Sequence, residues 1–155
     1  MRAQIDEQSV INANSQFWDQ MLSMTLDPVA SVGDFFAGAG HLLGSVCLHG
    51  NWTGRIEVRI SLGLAYYATS EMMMQPLEMV VEADALDAAK EIANMIAGMI
   101  KSSLPRPCSM SVPESVAEAE KFSVQALSED SLSVAFRHAA GDLMVRIWEQ
   151  ECVEQ

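Results

Sequence analysis

The sequence predicts an α+β fold in which about three helices cover an antiparallel sheet of about six strands. Half of the 155 residues are hydrophobic, which is enough to build one compact core. Apolar residues recur at helical spacing in three segments of the first two thirds. In the central hairpin and the last third they alternate with polar residues, as in half-buried antiparallel strands. We expect one domain spanning residues 1–155.

The first element is predicted to be a helix from about Val10 to Leu26, because its apolar residues form a helical stripe. Asp27-Pro28 should end it. The small, glycine-containing segment 30–40 is predicted to be a loop. Its Gly38-Ala39-Gly40 is weak evidence for phosphate binding, since no phosphate-binding helix pattern follows.

A hairpin and a second helix are predicted next. Residues 41–49 alternate loosely and residues 55–62 alternate cleanly, with the turn residues of 50–54 between them. Residues 62–74 follow as a helix that Gln75-Pro76 breaks. We interpret residues 77–83 as a short extended link or as the approach to the next helix.

The third and longest helix is predicted over Asp84–Leu104, and Pro105 and Pro107 end it. One side of this central helix is apolar: Ala85, Ala89, Ile92, Ile96, Met99 and Ile100. The opposite side carries Asp87, Glu91, Asn94 and Gly98 in line. A soluble helix face usually carries Lys, Glu and Arg, and Gly costs roughly 1 kcal/mol relative to Ala. The stripe therefore indicates a surface that something approaches closely.

The last third is predicted to form meandering antiparallel strands. Alternation marks four of them, at residues 108–112, 122–126, 132–136 and 143–147. Turn residues separate the last three, at 128–130 and 139–141.

Charge and composition exclude several kinds of partner. Nine Lys and Arg against 21 Asp and Glu give a net charge of −12, which disfavours nucleic acid and anionic membranes. The polar N-terminus does not fit a secretory signal, and the most apolar stretch, Ile92–Ile100, is too short to span a bilayer. Cys47, Cys108 and Cys152 are an odd number of cysteines with no CxxC spacing, so we expect buried or free thiols in a reducing cytoplasm and no disulfide framework.

No metal, cofactor or nucleophile of the chain's own is expected. His41, His49 and His138 have no partners at ligand spacing, so the sequence predicts no metal site. A nucleophile elbow and a P-loop are also missing. Any catalysis must therefore use a reactive group that the substrate brings.

The polar stripe can do such chemistry, although each residue also has a plain explanation. Glu91 alone could be a solvated carboxylate, Asn94 a cap or bend, and Asp87 a favourable acid near the helix N-terminus. Together, an amide can hold a water in one orientation, which is much of what phosphoryl hydrolysis needs. A carboxylate one turn away can pair with a partner's lysine, and Gly98 leaves room for the partner's backbone.

The segment Glu91–Lys101, EIANMIAGMIK, resembles the ExxN helix of the CheC/CheX family of response-regulator phosphatases, in its CheX form. The upstream segment Gly44–Ile56, GSVCLHGNWTGRI, is similar to the family's first hairpin. The resemblance covers residues 42–112 well and the terminal strands loosely.

The resemblance implies a CheX-like domain that dephosphorylates the aspartyl phosphate of a CheY-type receiver. Glu91 would contact the receiver's active-site lysine and Asn94 would orient the attacking water. Asp87 and Gly98 would help to bind the partner, the receiver would supply Mg²⁺, and the chain would form a homodimer through its sheet. Two alternatives stay open: a non-catalytic receiver-binding or flagellar-switch adaptor, and a dimeric structural module with a merely solvated stripe.

Overall fold

A computed structural model describes residues 5–29, 40–104, 108–118 and 131–150. The described helices are α1 (Glu7–Leu22), α2 (Leu62–Met73) and α3 (Glu82–Lys101), with a 3₁₀ turn at Leu77–Met79. The described strands are β1 (Asp27–Val29), β2 (His41–Gly50), β3 (Gly54–Ser61), β4 (Cys108–Met110), β5 (Glu114–Glu118), β6 (Leu132–His138) and β7 (Gly141–Glu149).

The strands form one antiparallel sheet around the β2–β3 hairpin. Its order is β1-β6-β7-β3-β2-β4, and β5 also pairs with β2. β5 pairs with residues 41–45 of β2 and β4 with residues 48–50, so both lie along the same edge of that strand. β2 is thereby held on both sides, which makes it a fixed base for whatever packs on it.

The core lies between the sheet and the helices. Alternate residues of β3 and β7 are fully buried on this inner face: Ile56, Val58, Ile60, Leu143, Val145 and Ile147. α3 packs against β2, β3 and β5, and also against both other helices. These contacts fix the position of α3, and therefore of the residues on its outward face.

The predicted α+β class, with helices covering an antiparallel sheet, is confirmed. The first helix, however, runs from residue 7 to 22 instead of 10 to 26. It begins early because the Asp6 carboxylate accepts a hydrogen bond from the Ser9 amide and caps it. It ends early because Ser23 takes a left-handed conformation, with φ 52°. Leu26 is still buried, which explains why the apolar stripe continues past the helix.

Other differences concern short elements. β1 and β5 were not predicted, and Asp27-Pro28, expected only to end a helix, begins β1. The segment 77–83 contains the 3₁₀ turn and the first residues of α3. The strands of the last third lie on both sides of the central hairpin and do not form one meander. The predicted strand at 122–126 lies outside the described residues.

The expectation of free thiols is correct for Cys108 and wrong for Cys47, which is disulfide-bonded. Disulfide formation depends on proximity in the fold, which sequence spacing does not reveal. Cys152 lies outside the described residues. Burial raises the pKa of the Cys108 thiol.

Candidate functional site

The candidate site is the outward face of α3, and its sequence explains why the helix forms there. Glu82 and Asp84 lie in the first turn and Lys101 in the last, so their charges match the helix dipole. Eight residues are buried against the sheet and the neighbouring helices: Ala85, Ala88, Ala89, Ile92, Ala93, Ile96, Ala97 and Ile100. Five of these are alanines, and side chains this small let the helix lie close to the sheet.

The four residues of the predicted stripe lie together on the other side of α3. Asp87, Glu91 and Gly98 are exposed, and the Asp87 side chain is 78% exposed. Asn94 is half-buried between them. The stripe thus joins an exposed carboxylate to a more sheltered amide one turn away.

Asn94 is not a cap, because it lies inside α3, well away from both ends of the helix. Within the described part of the chain, its carboxamide makes no side-chain hydrogen bond and Glu91 makes no ion pair. Asn14 in α1 provides the contrast: it is fully buried, donates to the Val10 carbonyl at 3.0 Å and accepts from the Trp18 indole at 3.4 Å. One helical asparagine is therefore part of the core, while the amide of the other is available to a partner or a water.

Gly98 leaves an open space on the same face. A Cβ atom built there would meet nothing within 4 Å. The fold itself therefore does not require a glycine, even though glycine weakens a helix. A requirement from outside the chain would explain it.

Asp87 has an intrahelical partner, Lys90. Its carboxylate lies 3.8 Å from the Lys90 ammonium, and both side chains are substantially exposed. The i, i+3 spacing was the available signal. Lys90 precedes Asn94 by one turn, so it adds a positive charge beside the stripe.

The histidines have other roles in the structure. His41 is buried; it lies 2.9 Å from the Arg59 guanidinium and 3.4 Å from the Glu118 carboxylate. Burial and the nearby Arg59 charge lower the pKa of His41, against the opposing effect of Glu118. The His138 ring accepts a hydrogen bond from the Ala140 amide at 2.9 Å. Among the described residues, no group of three or more His, Cys, Asp or Glu side chains could hold a metal ion.

Fold and site together define an α+β domain whose central helix carries a polar stripe on its outward face. The chain belongs to the CheX family: the family model described as chemotaxis phosphatase CheX matches residues 42–137. A comparison with curated proteins finds no match. No helix among the described residues is long and apolar enough to cross a membrane.

Solved structures share the fold. CheX from Vibrio vulnificus is similar with a TM-score of 0.76 at 18% identity, over 97% of this chain and 100% of that chain. The CheX–CheY–BeF₃–Mg²⁺ complex from Borrelia burgdorferi is similar with a TM-score of 0.68 at 17% identity, over 93% of this chain and 97% of that chain. FliY from Thermotoga maritima has a TM-score of 0.60 at 12% identity, over 94% of this chain and 91% of that chain.

Proposed function

We propose that this chain is a phosphatase that hydrolyses the aspartyl phosphate of a CheY-type receiver. Asn94 is the water-orienting residue and Glu91 the docking carboxylate, while Asp87 and Gly98 belong to the contact surface. The observation that carries the proposal is the half-buried, unbonded amide of Asn94 beside the exposed Glu91. Membership of the CheX family supports the same reaction.

The chemistry requires little from the chain. A water attacks phosphorus, and the bond between phosphorus and the aspartyl oxygen breaks. The products are the free aspartate carboxylate of the receiver and inorganic phosphate. An amide can accept one hydrogen bond from the water and donate another to a phosphoryl oxygen, which fixes the line of attack. Asn94 can do both because its carboxamide is not engaged elsewhere among the described residues.

Docking and charge compensation come from both partners. The Glu91 carboxylate pairs with a receiver lysine in a charge-assisted contact, which sets the position of Asn94. The receiver supplies the Mg²⁺ that balances the phosphoryl charge, and the solved CheX–CheY complex contains Mg²⁺ together with BeF₃. Gly98 lets the receiver's backbone come close to α3.

A non-catalytic adaptor is the second candidate. The similarity to FliY, at 12% identity, is a likeness of fold and is compatible with it. An adaptor would bind the receiver through the same helix face without needing a free amide at position 94. Phosphate release therefore separates the two candidates.

We also propose that residues 1–155 form a single domain in a cytoplasmic protein that dimerises through its sheet. The face away from the helices carries a cluster of charged side chains from β3 and β7. Arg59 and Arg146 each lie 3.7 Å from the Glu57 carboxylate, which is largely buried. A second copy could cover this partly buried polar surface.

The test measures phosphate release from a phosphorylated CheY-type receiver. Asn94→Ala should lower kcat by about 100-fold or more, since loss of positioning can cost that much. It should leave receiver affinity unchanged and slightly raise stability, because Ala is the better helix former. Glu91→Ala should raise KM by about tenfold, the value of a charge-assisted hydrogen bond. Light scattering on the same samples measures the dimer.

Two matched variants serve as controls. Asn12→Ala removes an exposed asparagine from α1, and Glu82→Ala removes an exposed acid from α3 outside the stripe. Both should keep wild-type kcat and KM. Equal phosphate release by wild type and Asn94→Ala would exclude the catalytic role, and receiver binding without any release by wild type would favour the adaptor.

A further inference from the structure

α3 lies very close to the sheet at Gly44 of β2. A Cβ atom built on Gly44 would lie 2.5 Å from the Ala89 carbonyl oxygen and 3.0 Å from the Ala93 Cβ. The first distance is far inside van der Waals contact, and the atom it meets is helix backbone. No side chain fits at this position unless α3 moves.

A second contact holds α3 on the neighbouring strand. Ser115 of β5 is the cross-strand partner of Gly44. Its hydroxyl donates a 2.7 Å hydrogen bond to the Leu86 carbonyl of α3. The Gly44–Ser115 pair therefore contacts α3 at two points about one helical turn apart. Gly44 allows the helix to approach the sheet at Ala89, and Ser115 holds it by the hydrogen bond to Leu86.

The Gly44–Ser115 pair has little freedom to move within the sheet. Gly44 pairs with Ser115 on one side and with Val58 on the other, and Val58 is fully buried. A strand that is hydrogen-bonded along both edges cannot yield without breaking its ladders. A group added at Gly44 must therefore displace α3 and not β2.

These contacts lie directly behind the proposed site. Glu91 falls between Ala89 and Ala93, and Asn94 follows Ala93. Because a helix moves as a stiff unit, a shift at Ala89 is passed to both polar residues on the opposite side. The height of α3 above the sheet thus determines where the Asn94 amide lies.

We infer that Gly44 and Ser115 are positioning residues. They hold α3 at a fixed distance from the sheet and thereby set the position of Asn94 relative to a docked receiver. This inference rests on the proposed phosphatase function. A misplacement of 1 Å at a reacting centre can reduce rate about 100-fold. Docking through the longer, exposed Glu91 side chain tolerates such a shift better, so kcat should respond more than KM.

The first test compares Gly44→Ala with Gly63→Ala. A Cβ at Gly63 would lie 2.5 Å from the Ala140 carbonyl oxygen, an equally close backbone contact that involves α2 and not α3. Both variants should lose stability. Gly44→Ala should also lose about tenfold or more in kcat with less than about threefold change in KM, whereas Gly63→Ala should keep wild-type kcat.

Ser115→Ala gives a second test that adds no bulk, so it remains informative if Gly44→Ala does not fold. We expect kcat to fall severalfold, and Ser115→Thr, which keeps a hydroxyl, to restore it. Equal kcat losses in Gly44→Ala and Gly63→Ala, or wild-type kcat in Ser115→Ala, would overturn the inference.

Amide hydrogen exchange separates this inference from the proposed function. If the contacts of Gly44 and Ser115 with α3 are lost, amide exchange near residues 90–94 of α3 should be faster in Gly44→Ala and Ser115→Ala, but not in Gly63→Ala. If exchange follows that pattern but the wild type releases no phosphate, the phosphatase proposal is refuted and the positioning role of Gly44 and Ser115 is supported. If exchange in α3 is unchanged and the wild type is active, only the positioning role is refuted.

Discussion

At Gly98, the requirements of folding and of the proposed docking oppose each other. Solvent surrounds the position where a Cβ would lie, so the fold would accept alanine without any repacking. Glycine at this point of a 20-residue helix costs stability that alanine would recover. We propose that close approach by a partner accounts for this glycine.

Gly98→Ala should accordingly stabilise the protein and weaken its proposed interaction. The free energy of unfolding should rise by up to about 1 kcal/mol, from helix propensity. KM for the phosphorylated receiver should rise severalfold, since the added methyl group separates the two backbones. Denaturant unfolding and phosphate-release kinetics measure the two effects. Unchanged KM in the stabilised variant would show that no partner approaches Gly98 closely.

How much the sequence predicts about single residues depends on whether periodicity carries the information. The outward placement of Asp87, Glu91 and Gly98 follows from a 3.6-residue repeat, and the structure places them there. The free amide of Asn94 could not be inferred, because Asn14 has the same residue type in a helix and bonds the backbone. The role of Gly44 depends on a helix 45 residues later in the chain and is invisible to local patterns.

The same distinction holds for helices and strands. α2, α3 and the β2–β3 hairpin were predicted because each is long enough to show its own period. β1 and β5, with three and five residues, are too short for that and depend on their partners β6 and β2. The order of the strands is likewise a property of tertiary pairing.

Three strands meet at His41, which makes their packing sensitive to pH. Arg59 can only donate, so its 2.9 Å contact requires an unprotonated His41 Nε2. The pKa of His41 is lowered in the folded state, first by burial and then by Arg59. Between that lowered value and the ordinary value of about 6.5, the unfolded chain binds more protons. The stability contributed by neutral His41 is therefore complete above about pH 7.5 and is lost as pH falls.

His41→Gln should flatten this part of the pH profile. The free energy of unfolding, measured by denaturant titration between pH 8 and pH 5, should decrease less in the variant than in wild type. His49→Gln, on the same strand and away from Arg59, is the control and should retain the wild-type slope. A slope that is identical in His41→Gln and wild type would contradict the assignment.

On the scale of the whole molecule, charge opposes the proposed encounter. The chain carries a net charge of −12, and the aspartyl phosphate that we propose as its substrate is also anionic. Lys90 and Lys101 on α3 provide positive charge near the stripe. The contact that we propose for Glu91 acts only at short range. Long-range repulsion should therefore slow association, while the contact itself remains favourable.

Added salt should consequently lower KM for the phosphorylated receiver. Raising ionic strength from about 0.01 M to 0.15 M shortens the Debye length from about 30 Å to about 8 Å, which screens the repulsion between approaching molecules. The Glu91 contact is partly desolvated when formed and is screened less, so repulsion should dominate the salt response. kcat should stay constant, because it depends on water positioning within the complex. Glu7→Gln combined with Asp19→Asn, which removes two exposed charges from α1, should reduce the salt dependence. A KM that rises with salt from the lowest concentration would mean that local attraction outweighs the net charge.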